Sequence, residues 1–211
     1  MFDYFVNYSS TVIPSVIEHI EISLIAVAIS FLIAFPVSVL VVKKERCSGI
    51  VNSVCNLLYS IPTLAMYAAL IPFTGLGMDT AIIAMIIYNQ YILIKNISEG
   101  FREVPAGVIE SAQAMGMNKW QVFVQIEIPL AMPLIISGLK LASLGTVSGA
   151  TLAAAVGGGG LGRLLISGLA MQKWVKVRLA TLICAIIAIV LTAVFHIMED
   201  RSLKNARGEK H

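Results

Sequence analysis

Five long apolar blocks, separated by short polar segments, most constrain what this 211-residue chain can fold into. A helix needs about 20 apolar residues to cross a hydrocarbon core about 30 Å thick, and it satisfies its own backbone hydrogen bonds there. We therefore expect an all-α integral membrane protein that forms a single transmembrane domain over residues 1–211. Its five transmembrane helices are predicted at about 20–42, 51–71, 79–97, 132–156 and 178–198.

The composition excludes an ordinary soluble domain. Hydrophobic residues make up 58% of the chain and charged residues 13%, and the mean hydropathy is +0.87, which leaves too little polar surface to cover a globule. The net charge of +3 does not indicate a nucleic-acid site, because most basic residues lie at the ends of apolar blocks. Cys47, Cys55 and Cys184 have no metal-ligand or redox spacing, and we interpret them as reduced thiols.

Basic residues predict the orientation, since cytoplasmic segments of membrane proteins carry an excess of Lys and Arg. The segments after the first, third and fifth spans hold ten of them on one side, against four after the fourth span. We expect the N-terminus outside and the C-terminus in the cytoplasm, with the first span acting as its own insertion signal. The ten are Lys43, Lys44, Arg46, Lys95, Arg102, Lys119, Arg201, Lys204, Arg207 and Lys210, and the four are Arg163, Lys173, Lys176 and Arg178.

The polar interval from Glu103 to Pro129 is predicted to form two short helices joined by a turn. Pro105 suits the first position of a helix, where its missing N–H costs nothing. Gly116 can take the left-handed conformation that ends a helix. This first helix would place small or apolar side chains on one face. They are Ala106, Ile109, Ala112 and Gln113.

The second helix of the interval is predicted from Lys119 to about Ile128. Asn118 followed by Gln121 has the spacing of a capping box, in which each side chain bonds the other residue's backbone N–H. Pro129 is expected to end this helix, because a proline restricts the residue before it and lacks a donor of its own.

Seven residues of the interval resemble the EAA loop of binding-protein-dependent ABC importers. That pattern reads Glu-Ala-Ala, three residues, Gly, nine residues and Ile-x-Leu-Pro, and this chain keeps the spacing throughout. It departs from the pattern at two positions, with serine for the second residue and isoleucine for leucine. The seven residues are Glu110, Ser111, Ala112, Gly116, Ile126, Ile128 and Pro129.

The resemblance implies the fold of a type I ABC importer permease, with a cytoplasmic coupling loop at 98–131. In that family the loop contains the coupling helix, which sits in a cleft of a cytoplasmic ATPase. The alternative is an ordinary amphipathic helix-turn-helix between two spans. The nine-residue spacing from Gly116 to Ile126, in a chain with spans on both sides, favours the family.

Polar and aromatic residues inside the second and third spans are candidates for a translocation pathway. Pro62 is predicted to kink the second span, either beside a pathway or as a static packing bend. Asn89 is costly in hydrocarbon and is expected to face the interior of the bundle. Tyr67, Tyr88 and Tyr91 could present aromatic faces to a passing cation, or could instead serve interhelical hydrogen bonding or an aromatic belt.

Four consecutive glycines after the fourth span predict a break in the backbone, because each costs about 1 kcal/mol in a helix interior. We expect this segment at the outer mouth of the pathway, the alternative being a flexible surface turn. The segments 149–162 and 19–26 also resemble the osmoprotectant branch of these permeases. Arg163 stands where relatives usually have Asp, so the resemblance does not extend to an acidic residue at this position. The four glycines are Gly157, Gly158, Gly159 and Gly160.

The resemblance implies a permease subunit of an ATP-driven importer in the cell membrane, for glycine betaine, carnitine or choline. Its partners would be cytoplasmic ATPase subunits, a second permease subunit of the same or a homologous chain, and an external substrate-binding protein. No phosphate-binding glycine loop, catalytic set, metal cluster or cofactor motif is found, so we expect no enzymatic activity in this chain. The alternatives are a methionine-type importer permease and a membrane interaction or channel protein that does not pump.

Overall fold

The computed structural model describes residues 9–42 and 44–206, so Lys43, Arg207 and Lys210, which were used for the predicted orientation, lie outside the described residues. Within those ranges all regular structure is helical, which confirms the predicted all-α fold. The helices are α1 (Ser9–Val42), α2 (Glu45–Tyr59), α3 (Thr63–Thr74), α4 (Met78–Arg102), α5 (Ala106–Ala114), α6 (Lys119–Val122), α7 (Ile128–Ala153), α8 (Gly160–Ala170) and α9 (Trp174–Ala206). A π-helical turn (Phe123–Glu127) joins α6 to α7, and a 3₁₀ turn (Ala154–Val156) follows α7.

Four helical segments of the described chain are long and apolar enough to cross a membrane. They are α1, α4, α9 and the continuous segment Lys119–Val156. The pair formed by α2 and α3 passes the same test, but its two axes differ by 96°. The bundle therefore has five spans if the bent pair counts as one, and four if it does not.

The first helix begins at Ser9 rather than near Ile20, because the charged residues around position 20 do not end it. One stripe of α1 carries small side chains that let α4 and α7 approach closely. The hydroxyls in this stripe donate to the carbonyl one turn back, for example Ser30 to Ala26 at 2.5 Å, so they are satisfied within their own helix. The buried stripe is Ser15, His19, Ser23, Ala26, Ser30, Ala34 and Ser38.

The prediction of one kinked helix at 51–71 is wrong, because the chain breaks completely between α2 and α3. Pro62 has φ −56° and ψ 136°, which is extended backbone rather than helix. The proline ring also disfavours helical geometry at the residue before it. Two non-helical residues after Ser60 are enough to turn the chain through 96°.

Pro129 does not end a helix, which corrects the prediction for the second half of the polar interval. The π-helical turn just before it uses i→i+5 hydrogen bonds, and its wider coil leaves room for a proline ring. Pro129 is the second residue of α7, and the helix passes through it without a stop. Helix is continuous from Lys119 to Val156, so the helix that contains the predicted fourth span begins well before residue 132.

The glycine run breaks the backbone as predicted. Gly157, Gly159 and Gly160 all have positive φ, at 82°, 82° and 66°, which residues with a side chain adopt with difficulty. α8 then folds back against α7 and α9. The contact is closest at Gly162, where an added Cβ would lie 2.0 Å from the Thr151 carbonyl oxygen.

Packing is centred on α4, which contacts α1 on one side and α7 on the other, while α9 covers the far side of α7. Lys140 of α7 and Glu199 of α9 form an ion pair at 2.5 Å, with both side chains about four-fifths buried. The apolar surface of α9 is otherwise largely uncovered, and the most hydrophobic stretch of this helix has no buried residue.

We predict that Gly162→Ala destabilises the bundle, because the nearest obstacle is backbone and cannot rotate away as a side chain could. Overpacking of this kind costs about 1–3 kcal/mol. The measurement is the thermal unfolding midpoint of the detergent-solubilised protein. Gly49→Ala in α2 is the matched control, because nothing lies within 4 Å of its added Cβ, and it should stabilise by up to about 1 kcal/mol. Equal midpoints for both variants would contradict the close contact of α7 and α8.

Candidate coupling loop and substrate passage

The end of α5 has a complete Schellman motif at Gly116. Its N–H donates to the Gln113 carbonyl at 2.9 Å, and the N–H of Met117 donates to the Ala112 carbonyl at 3.2 Å. Gly116 has φ +88°, while an added Cβ would meet nothing within 4 Å. The constraint on residue 116 therefore comes from backbone conformation and not from space, which confirms the predicted cap.

The start of α6 is held by the predicted capping box. The side-chain oxygen of Asn118 accepts from the Gln121 N–H at 2.9 Å, and the Asn118 N–H donates to the Gln121 side chain at 2.8 Å. Because each of the two helices is capped by residues of the same loop, the corner between them is defined by local sequence.

α5 packs on the bundle through Ala112, which is buried, and Ile109, which contacts the core. Ala106 and Gln113 were predicted on the same inner face, but both are exposed. Glu110, Ser111 and Gly116 also lie on the exposed side. The loop thus offers an outer surface on which the first part of the sequence motif is accessible.

Two exposed apolar side chains that the sequence motif does not include lie on this corner. Met115 is 78% exposed and Trp120 is 71% exposed. The Trp120 ring contacts Phe123 with centroids 5.8 Å apart, and Phe123 stacks on Phe101 of α4 at the same distance. These ring contacts connect the corner to α4, one of the candidate spanning helices.

The last part of the motif lies on a different element from Gly116. Ile126 is in the π-helical turn and is partly buried, as is Ile128 at the start of α7, whereas Pro129 is exposed. These three residues set the path from the corner into α7. Their role in ATPase coupling stays a prediction.

A polar network lies at the centre of the bundle. The Asn89 side chain of α4 donates to Ser30 of α1 at 3.2 Å and to Thr146 of α7 at 2.9 Å. All three residues are buried. In agreement with the expectation from sequence, the costly amide faces protein rather than lipid.

A cavity of about 390 Å³ lies beside this network, between the α2–α3 corner, α4 and α7. The Tyr88 hydroxyl donates to the carbonyl of Ile61, which the helix break leaves without a helical partner. Of the predicted pathway residues, the structure brings together Pro62, Tyr88 and Asn89 in this lining. Sequence reasoning missed Tyr59, whose ring contacts Tyr88 edge to face at 5.9 Å.

The other two tyrosines have different surroundings. Tyr67 is fully buried in the core, and its hydroxyl donates to the Gly149 carbonyl at 3.0 Å. It is not among the residues that line the cavity. The Tyr91 ring lies 5.0 Å from the Tyr59 ring and faces a second cavity of about 300 Å³ between α2 and α4.

The glycine run does not line either cavity. Gly158, Gly159 and Gly160 are buried, and the Glu18 carboxylate accepts from the Gly160 N–H at 2.9 Å and from Arg163 at 2.6 Å. The arginine that replaces the usual acid is thus paired with an acid from α1. A role of the run in the pathway stays a prediction.

In the described part of the chain no group of three or more His, Cys, Asp or Glu side chains could hold a metal ion. Cys47, Cys55 and Cys184 are free thiols.

Apolar spanning helices, a broken helix pair beside a polar cavity and a capped corner between two spanning segments are features of a membrane permease domain. The chain belongs to the family of binding-protein-dependent transport system inner membrane components, whose model matches residues 26–207.

The chain is similar to curated permeases over most of its length. It is 31% identical over 210 residues to the carnitine transport permease protein OpuCD of Listeria monocytogenes, covering 100% of this chain and 94% of the relative. It is 32% identical over 194 residues to the glycine betaine/carnitine/choline transport system permease protein OpuCB of Bacillus subtilis, covering 92% and 89%. Among solved structures, an inward-facing MetNI methionine ABC transporter matches with a TM-score of 0.82 at 20% identity, covering 93% and 98%, and this likeness shows the fold alone.

We predict that Asn89→Ala destabilises the bundle, because it removes two hydrogen bonds that join α4 to α1 and α7. Interhelical bonds of this kind contribute about 0.6–1.7 kcal/mol each. The thermal unfolding midpoint in detergent should fall clearly below that of Asn96→Ala. This control lies on the same helix, and its side chain donates to the Ile92 carbonyl of that helix rather than to a neighbouring helix. An equal fall for the two variants would rule out a special role for the central network.

Proposed function

We propose that this chain is the translocation subunit of an ATP-driven importer for small quaternary amines such as glycine betaine, carnitine and choline. The observation that carries the proposal is its similarity to permeases named for these solutes, at 31–36% identity over 74–100% of the chain. A cavity rimmed by tyrosines suits such solutes, since aromatic faces attract quaternary ammonium groups.

The transport cycle requires a partner that supplies free energy. Reversing a two-state equilibrium from 1:99 to 99:1 takes about 5.5 kcal/mol of differential binding. The chain has no phosphate-binding loop, so we assign ATP hydrolysis to separate cytoplasmic ATPase subunits. The α5–α6 corner, where Glu110, Ser111 and Gly116 are exposed, is the proposed docking surface.

The remaining partners follow from the family, whose members work with external binding proteins. We propose that a substrate-binding protein delivers the solute from outside and that a second permease subunit, identical or homologous, completes the passage. The membrane part then needs little affinity of its own, because a passage that bound tightly would release slowly. The pathway tyrosines should accordingly affect rate more than the choice among quaternary amines.

We propose that the N-terminus lies outside, and that the C-terminus and the α5–α6 corner lie in the cytoplasm. Lys95 and Arg102, toward the end of α4 that leads into the corner, support this orientation. Arg163 is one of the four basic residues that oppose it, and its charge is paired with Glu18.

The two alternative functions are a methionine importer and a channel that does not pump, and each has less support. A methionine importer is suggested only by structural likeness at 20% identity, which reports the fold. A channel without a pump would have no use for the capped α5–α6 corner, whose outer surface carries the importer motif.

We predict that cells lacking this subunit lose ATP-dependent uptake of quaternary amines under osmotic stress, and that this chain restores it. The measurement is uptake of labelled glycine betaine, carnitine and choline, with labelled methionine in parallel. Uptake of methionine alone would transfer the proposal to the methionine class. Uptake that persists after ATP depletion would favour a channel.

We predict that Gly116→Pro removes transport while the spans stay inserted, because proline cannot take φ +88°. ATP-driven uptake should fall to background in cells whose membranes contain normal amounts of the subunit. Gly107→Ala is the control on the same helix, since nothing lies within 4 Å of its added Cβ. Normal uptake by an assembled Gly116→Pro complex would exclude the corner as the coupling element.

A further inference from the structure

The second cavity, of about 300 Å³, lies between α2 and α4. It lies on the Arg102 side of the tyrosine cluster formed by Tyr59, Tyr88 and Tyr91, toward the end of α4 that leads into the coupling loop. The first cavity is lined by Tyr59 and Tyr88, and the second by Tyr91. Because the Tyr59 and Tyr91 rings are in contact, the cluster forms the boundary between the two cavities.

The ring of Tyr91 is already engaged on this boundary. Tyr59 packs on it with centroids 5.0 Å apart, and the Lys95 ammonium lies 5.7 Å from its centroid. This separation is within the range at which a cation is attracted to an aromatic face. Lys95 therefore holds the kind of position that the quaternary ammonium of a solute would need.

The charges of the second cavity are unequal. Glu99 lies 3.9 Å from Arg102, which also donates to the Ser48 hydroxyl at 2.7 Å. Lys95 has no carboxylate within ion-pair distance among residues 9–42 and 44–206. The cavity thus contains one matched pair and one ammonium with only a ring for a partner.

We infer that this second cavity is an inner subsite of the passage that takes zwitterionic quaternary amines, those with a carboxylate, in preference to a simple cation, with Lys95 as the specificity-determining residue. The inference rests on the proposed function and narrows its substrate class. It identifies glycine betaine and carnitine as better-fitting solutes than choline.

The preference for solutes with a carboxylate arises because Lys95 can exchange one partner for another. A solute carboxylate draws the ammonium away from the Tyr91 ring, and the quaternary group of the same solute then takes the vacated face. A solute without a carboxylate offers Lys95 no new partner and meets a like charge. The external binding protein selects the solute before it reaches the permease. The Lys95 preference therefore changes the affinity of the solute for this subsite and not its selection by the binding protein.

The test measures solute binding to the purified permease–ATPase complex in lipid nanodiscs, with no binding protein present to filter the probes. Glycine betaine and choline are added separately, and their binding is followed by saturation-transfer NMR of the N-methyl groups. The wild-type complex should bind glycine betaine about fivefold more tightly than choline, the scale of one partly exposed charge contact.

Lys95→Met should bring the two affinities together, since methionine keeps an apolar chain of similar length and removes the charge. Lys95→Gln should do the same, and Lys95→Arg should keep the preference. The matched control is Lys173→Met, an exposed lysine in the turn between α8 and α9, which should bind like the wild type.

Three outcomes would overturn the inference. They are an unchanged preference in both neutral variants, tighter binding of choline by the wild type, and no binding of either probe. Uptake by the complete transport system shows whether only the Lys95 inference fails or the proposed function fails as well. Quaternary-amine uptake with a preference independent of Lys95 removes the inference alone, whereas absence of all such uptake removes both.

Discussion

A backbone N–H or C=O inside a bilayer has no water to bond, so every break in a spanning helix needs a partner from elsewhere in the protein. This structure breaks its helices at two apolar positions and supplies partners at both. The Ile61 carbonyl accepts from the Tyr88 hydroxyl, and the Gly160 N–H donates to Glu18. The Gly77 N–H next to the glycine run donates to the Val156 carbonyl at 2.8 Å.

The need for hydrogen-bond partners at helix breaks also determines where polar groups lie in the bundle. The α2–α3 break brings Pro62 and Tyr88 to the rim of the cavity of about 390 Å³, next to the Asn89 network. The stripe of serines and alanines on α1 lets α4 pack closely behind that network. The same irregular backbone that hydrocarbon forbids is therefore tolerated where it lines a polar cavity, which is the arrangement that a translocation pathway needs.

Local features could be predicted from sequence, and features that depend on distant partners could not. The cap at Gly116 and the capping box at Asn118 involve residues within a few positions, and both are confirmed. Pro129 does not end a helix, because a π-helical turn accommodates its ring. No residue pattern in the sequence predicts that turn. The 96° bend at Pro62 exceeds the predicted kink because Tyr88, far along the chain, satisfies the opened carbonyl.

Among the candidate site residues, the spacing of the motif placed Glu110 and Ser111 on an exposed surface. It could not show that Tyr67 is fully buried while Tyr59 lines the cavity, because helical periodicity alone does not say which face meets a neighbour. From sequence, Lys95 contributes only its charge to the predicted orientation. Its contact with Tyr91 becomes visible only when the tyrosine cluster is in place.

The most direct test of the central claim, that the α5–α6 corner is a cytoplasmic docking surface for the ATPase, is single-cysteine labelling at Met115. Met115→Cys is made in a chain whose three native cysteines are replaced by alanine, and a membrane-impermeant maleimide is applied to intact cells and to inside-out vesicles. The account predicts labelling in the vesicles only, and protection when the ATPase subunits are bound. Labelling of intact cells, or equal labelling with and without bound ATPase, would contradict it.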